Sequence, residues 1–267
     1  MSLFFKILSK NSIKKLYILS RITYYLVYYF FPYRNKIITK NLVKVFPSKS
    51  KKNIKNLKKK FYQNLINVIF ETIKLLDFDK KDIKKRVSII NPEVVSIEKN
   101  KNIIIVSGHN CNWEWLLASI CVFDKDVYAV YKPLKNIFFN NLILKIRKKF
   151  GAKMLQKKQA SKFIIKNSKQ KNIYFFLSDQ VPENLNNVYQ SSFFNLKTSF
   201  SNGFERLSKK NNAIVFYAKM NKKKKGYYNI EFNKLNNNLT EEYVKKLEKN
   251  ILEEPENWLW SHNRWKR

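Results

Sequence analysis

The 267-residue chain predicts an α/β fold: a mixed central sheet flanked by helices, behind a helical N-terminal region. Three observations carry that expectation. After Asn91-Pro92, short apolar runs alternate with helical stretches. Residues 51–76 repeat apolar side chains at three- and four-residue steps, and Leu16 to Phe31 forms an aromatic-rich apolar stretch unlike either. The expected division is residues 1–34, 35–95 and 96–267, the last being the α/β domain.

The elements follow in order. Leu16–Phe31, LYILSRITYYLVYYFF, is flanked by Lys14, Lys15 and Arg34 and lacks a small-residue cleavage site, so it does not read as a removable signal peptide. It carries Arg21 and falls short of the ~20 apolar residues that cross a bilayer. Residues 1–34 therefore read as a membrane anchor, either a helix lying in or tilted through the interface or a true span, with a buried core helix as the other reading. Leu57, Phe61, Leu65, Val68, Ile69, Thr72 and Leu76 mark one face of a helix expected to pack on the core. Strands are expected at Ile103–Ser107, Asp126–Tyr131, Ala152–Leu155, Ile173–Ser178, Ala213–Met220 and Tyr227–Asn233. Helices are expected at Asn112–Val122, Asn136–Phe150, Ala160–Ser168, Ser201–Asn211 and Thr240–Leu252. The Thr240 hydroxyl is expected to cap the last of these, with Glu241 and Glu242 at its positive dipole end.

The formal net charge is +35, from 54 Lys+Arg against 19 Asp+Glu, which suits an acidic polymer or an anionic membrane surface. Nearly all of it is Lys, alongside abundant Asn and Ile, so compositional drift toward solvated lysine explains part of the excess. The charge and 15% aromatic content would allow a nucleic-acid partner, but no nucleic-acid motif is present and none is expected. Cys111 and Cys121 fit neither a zinc knuckle nor a disulfide framework and suggest a reducing compartment.

The chemistry concentrates in Ile103-Ile-Ile-Val-Ser-Gly-His109-Asn-Cys-Asn-Trp-Glu114, which runs from a strand through a glycine turn into a helix. His109 is thereby expected at a strand's carboxyl end, where open α/β sheets keep their sites. Glu114, one helical turn on, is expected to fold back and hold one ring nitrogen as N–H, leaving the other to accept a proton. The plainer reading of the same spacing is a histidine hydrogen-bonded in a helix cap. With no nucleophile in between, the simplest chemistry is removal of a proton from a substrate hydroxyl. The two histidines lie far apart in sequence and no acid or Cys cluster has ligand spacing, so no metal and no bound cofactor is expected.

The block Gly108-His109-Asn-Cys-Asn112-Trp113-Glu114-Trp115 resembles the G-H-x-x-N-W-E block of the late acyltransferases of lipid A biosynthesis (lauroyl/myristoyl type), within the lysophospholipid acyltransferase group. Four further blocks resemble that family in order. Val130-Tyr131-Lys132-Pro133-Leu134-Lys135-Asn136 is similar to Y-R-P-L-x-N, with Lys132 in place of an Arg. Leu177-Ser178-Asp179-Gln180 looks like A-D-Q. Phe193-Phe194 with Ser201 to Leu207 resembles F-F-G…R-G-x-A-R-L-A, keeping Arg206 but with Asn202 for the first Arg. Trp258-Leu-Trp260-Ser-His262-Asn-Arg264-Trp265-Lys266 resembles the W-L-W-x-H-x-R-W-K ending, and Arg34, Asn41-Leu42 and Phe46-Pro47 match the N-terminal helical region.

The resemblance implies a glycerolipid acyltransferase-like fold, with His109 as general base and Glu114 as its orienting partner. It implies substrate contacts from Asn112, Tyr131, Lys132, Asp179 and Arg206. It further implies acyl transfer from an acyl carrier protein to a hydroxyl of an anionic lipid A precursor, at the cytoplasmic face of the inner membrane. Lys132 and Asn202, where arginines are usual, keep a lysophospholipid, aminolipid or glycolipid acceptor open. Removing residues 1–34 is expected to loosen membrane binding and leave the His109–Glu114 pair assembled.

Overall fold

The computed structural model describes residues 2–184 and 188–266. The N-terminal region is helical: α1 (Ser2–Lys10), α2 (Ile13–Tyr25) running into a π-helical turn at Leu26–Phe30, α3 (Asn35–Val45), α4 (Lys51–Lys74) and α5 (Lys80–Arg86). Then come β1 (Val87–Ile89), α6 (Glu93–Ser96), β2 (Ile103–Ser107), α7 (Trp113–Ile120), β3 (Val127–Tyr131), α8 (Ile137–Lys149), β4 (Lys153–Gln156), α9 (Lys157–Lys166) and β5 (Ile173–Leu177). The chain continues through β6 (Val188–Phe193), β7 (Leu196–Ser201), α10 (Gly203–Asn211), β8 (Ile214–Lys224), β9 (Tyr227–Leu235) and α11 (Leu239–Glu253).

Seven strands form one sheet in the order β1-β9-β8-β2-β5-β3-β4. β4, β3, β5, β2 and β8 run parallel, β9 is antiparallel to β8, and β1 is parallel to β9. The sheet is mixed and flanked by helices, as predicted. The central strand β2 is apolar at successive positions because both of its faces are covered. Ile104 and Val106 join a core with α3, α4, α9, α10 and α11, while Ile103 and Ile105 join a second core with α5, α7 and α8.

The expectation omitted β1 and the β6–β7 hairpin. The hairpin turns through Phe194 and Asn195, both with positive φ (56° and 59°). Two left-handed residues match the twist of the flanking strands, but this turn is made without the glycine that usually signals it. Thr240 also differs from expectation. It lies inside α11, and its hydroxyl donates to Glu205 Oε2 at 2.6 Å instead of capping the helix.

No helix among the described residues is long and apolar enough to cross a membrane. α2 instead packs Leu16, Ser20 and Tyr24 toward the body and leaves Ile18, Ile22 and Tyr25 exposed on its other side. The following segment reaches the far end of the chain. Arg34 donates to the Ser261 carbonyl at 3.0 Å, and Asn41 Nδ2 donates to the carbonyls of Trp260 and His262, each at 2.8 Å.

Candidate active site

The loop after β2 leaves the carboxyl edge of the parallel strands. Gly108 marks a close approach there, since a Cβ at this position would lie 2.6 Å from Leu247 Cδ1 and 3.5 Å from Asp179, so that Leu247 would have to move. His109 follows, its ring partly exposed at 18%. Its backbone is paired with the C-terminal segment: Leu259 N donates to His109 O, and Cys111 N to Asn257 O. Cys111 sits at φ 51°, a left-handed conformation that non-glycine residues seldom adopt. Asn112 then caps α7, its Oδ1 accepting from Trp115 N at 3.0 Å.

The partner of His109 is Asp179, at the matching end of β5. Nδ1 of the ring lies 2.7 Å from Asp179 Oδ1, and the His109 backbone N–H donates to Oδ2 at 3.0 Å. Trp258 Nε1 donates to the same Oδ2 at 2.9 Å. Burial raises the Asp179 carboxyl, but the imidazole's charge and hydrogen bond and the Trp258 N–H outweigh it and bring it to about 2. A carboxylate accepts only, so Nδ1 carries a proton, and in the neutral ring Nε2 then keeps its lone pair. Nε2 faces the Gln180 amide nitrogen across 3.4 Å, and Trp113 lies edge-on to the ring at 5.2 Å.

Glu114 is not that partner, which corrects the role expected from its spacing. Both of its oxygens are taken by Arg147 of α8: Nη2 to Oε1 at 2.7 Å and Nε to Oε2 at 2.9 Å. Burial raises the Glu114 carboxyl, but Arg147 overcomes this and leaves it below the usual range, with the His109 charge as a smaller contribution. Glu114 thus acts on His109 through its field, without a hydrogen bond. A bidentate guanidinium–carboxylate fork is rigid, and the helix start that carries Glu114 is aimed at α8 rather than at the imidazole.

The other expected site residues divide. Tyr131, half-buried at the end of β3, is near enough to Arg147 to act on its charge. Lys132 is exposed at the rim and pairs with exposed Glu183 of the loop after β5, which Lys157 also approaches at 3.5 Å. Asn112 is fully buried and turned away from the open side, its Nδ2 donating to Glu71 at 2.7 Å. Arg206 is exposed on α10, where neighbouring Glu205 bonds Thr240 at the amino edge of the sheet. Among the described residues no contact joins Arg206 to the His109 cluster.

Sequence reasoning missed Arg147 and gave Trp258 no part beyond the C-terminal block. It also set the two histidines apart, whereas His262 belongs to the same neighbourhood. His262 Nε2 accepts from Val181 N at 3.2 Å, two residues beyond Asp179. Burial, together with the charges of Arg264, His109 and Arg34, lowers its pKa to about 4 against the opposing pull of Asp179. No group of three or more metal-ligating side chains occurs among the described residues.

A partly exposed imidazole at the carboxyl edge of a mixed α/β sheet, hydrogen-bonded to a buried carboxylate, is an arrangement suited to the general-base chemistry of transferases and hydrolases. The family follows from sequence comparison: the model of the bacterial lipid A biosynthesis acyltransferases matches residues 6–267, and the chain belongs to that family. Membership makes the protein an acyltransferase of lipid A synthesis. No curated protein matches the chain.

Proposed function

We propose that the protein transfers a fatty acyl chain from the thioester of an acyl carrier protein to a hydroxyl of a lipid A precursor, with His109 as general base. The observation that carries this reading is the Nδ1–Asp179 hydrogen bond, which leaves Nε2 as an acceptor that only the long Gln180 contact engages among the described residues. Nε2 takes the proton of the acceptor hydroxyl as its oxygen attacks the thioester carbonyl. The tetrahedral oxyanion collapses, the C–S bond breaks, and the imidazolium returns its proton to the departing thiolate. The Gln180 amide, facing the reacting nitrogen, is placed to donate to the developing oxyanion.

Asp179 holds the ring orientation and stabilises the imidazolium, while the Glu114–Arg147 pair keeps a second negative charge nearby. Lys132 serves the anionic headgroup: its present partner is exposed, and such pairs are worth about 1 kcal/mol or less, so a phosphate can displace Glu183. The excess of 35 positive charges favours both an acidic carrier protein and an anionic lipid surface. Membrane binding is by an in-plane face. Leu3, Phe4, Ile7, Ile18, Ile22, Tyr29, Phe30 and Phe31 are exposed along the N-terminal helices and the π-helical turn. The site then works at the cytoplasmic face of the inner membrane.

The test is the lipid profile, by mass spectrometry, of cells expressing the wild type or His109→Ala at matched protein levels. A lipid A species heavier by one acyl chain only with wild type supports the reading. A new acylated phospholipid or aminolipid with unchanged lipid A moves the acceptor and keeps the mechanism; identical profiles sink both.

A further inference from the structure

Glu71, in the last two turns of α4, is 1% exposed and has no ion-pair partner among the described residues. Its carboxylate is instead ringed by neutral donors: the Tyr17 hydroxyl reaches Oε1 at 2.6 Å, and the Tyr228 hydroxyl and Asn112 Nδ2 each reach Oε2 at 2.7 Å. Trp115 Nε1 donates to its backbone carbonyl at 3.0 Å. A buried carboxylate held this way is costly to desolvate, so packing alone does not account for it.

What it holds is the loop that presents His109. Asn112 cannot turn its amide over, because Oδ1 is engaged in capping α7, and its NH₂ must therefore meet an acceptor. Cys111, the residue between the cap and the Asn110–Trp258 bridge, has a left-handed backbone that costs about 1–2 kcal/mol and persists only where its surroundings enforce it. Asp179 and the C-terminal segment hold this loop from the His109 side, and Glu71 holds it from the α7 side.

We propose that Glu71 is a positioning residue for acyl transfer, acting through Asn112 to set the loop from His109 to Glu114; the proposal rests on the reading of His109 as the base. Tyr17 extends the linkage to α2, the helix whose other side carries Ile18 and Ile22. Asn112→Asp sets two carboxylates face to face, whereas Glu71→Gln keeps its oxygen on Asn112 and Tyr228 and turns its NH₂ to the Tyr17 hydroxyl, which then accepts. Combining the two changes restores one donor and one acceptor with the direction of the bond reversed, while the introduced carboxylate still caps α7.

The experiment measures acyl transfer by the purified full chain for wild type, both single variants, the double variant and His109→Ala, together with ¹⁵N-histidine spectra. The chain has two histidines, so His109→Ala assigns the signals. Asn112→Asp is expected to lose about tenfold or more in kcat with KM within about twofold, Glu71→Gln to lose less, and the double variant to recover most of the Asn112→Asp loss. The His109 signal is expected to leave the fixed Nδ1–H tautomer in Asn112→Asp and return in the double. Native kcat and native His109 signals in Asn112→Asp, or a double no better than Asn112→Asp alone, would overturn the proposal. If Glu71→Gln does not fold, the comparison of Asn112→Asp with the double variant decides it. An active His109→Ala refutes the base reading separately, and the spectra still judge Glu71.

Discussion

Asp179 gathers three hydrogen bonds from two distant segments, and the chemistry of the site turns on that convergence. Trp258→Phe removes one donor from Oδ2 while keeping an aromatic ring in place, and should lower kcat by about threefold to tenfold with KM little changed. An unchanged kcat would limit the indole to packing. The Glu114–Arg147 fork makes a different prediction. Arg147→Met leaves a buried carboxylate alone and should cost about 3–5 kcal/mol in urea unfolding, while adding Glu114→Met should recover most of it. His262 gives a pH effect. Its native pKa of about 4 lies below the unfolded value of 6.5, so between these values the unfolded chain binds the proton and the native one does not. Stability contributed here is present above pH 6.5 and falls as pH drops toward 4. His262→Gln, whose carbonyl can still accept from Val181 N, should flatten that part of the melting-temperature profile; a profile identical to wild type would refute the assignment. The histidine–carboxylate chemistry was legible from the strand–Gly–His pattern. The identity of the carboxylate was not, because the orienting group comes from β5, 70 residues away, and spacing along one helix cannot show that an arginine has already claimed Glu114. The scarcity of arginine was a usable signal: in a chain that uses lysine almost everywhere, Arg147 and Arg264 stand where a buried planar fork or stacked guanidinium is needed.

At the scale of elements, the end of β2 and α11 approach so closely that Gly108 has no room for a side chain. Gly108→Ala should destabilise by about 1–3 kcal/mol through overpacking against Leu247, and Leu247→Ala in the same chain should relieve the clash while adding its own cavity cost. A Gly108→Ala chain as stable as wild type would show that Leu247 yields freely. Strands buried on both faces were legible because their apolar runs are short and bounded, and β2 falls on the predicted residues. The β6–β7 hairpin was hidden by its turn, and β1 by its length of three residues, too short to show a period. Thr240 was misplaced because the helix already starts at Leu239, with Asn238 as its N-cap residue, and the hydroxyl found a better acceptor in Glu205.

For the whole molecule, the N-terminal segment through Arg34 packs into the same body that carries the site. Leu16 and Tyr24 are core residues, Tyr17 bonds Glu71, and Arg34 bonds the C-terminal segment that backs His109. Their removal should therefore disturb the site as well as membrane binding, contrary to the separable anchor that the apolar stretch suggested. A face lying in the interface predicts that Ile18→Ser, Ile22→Ser and Phe30→Ser together reduce flotation with anionic vesicles at high salt, leaving folding intact. Undiminished flotation would place the binding elsewhere. The in-plane arrangement was open in the sequence beside a span and a core helix, because a 16-residue, largely apolar stretch that includes Arg21 satisfies all three. For His109 as the base and Asp179 as its orienting partner, the decisive quantity is kcat for acyl transfer by purified Asp179→Asn beside Glu114→Gln, each corrected for its folded fraction. Asp179→Asn is expected to lose about a hundredfold or more, exceeding the loss in Glu114→Gln, because the introduced amide can hold the wrong tautomer. Near-native turnover in Asp179→Asn with turnover abolished in Glu114→Gln would contradict that assignment and return the orienting role to Glu114.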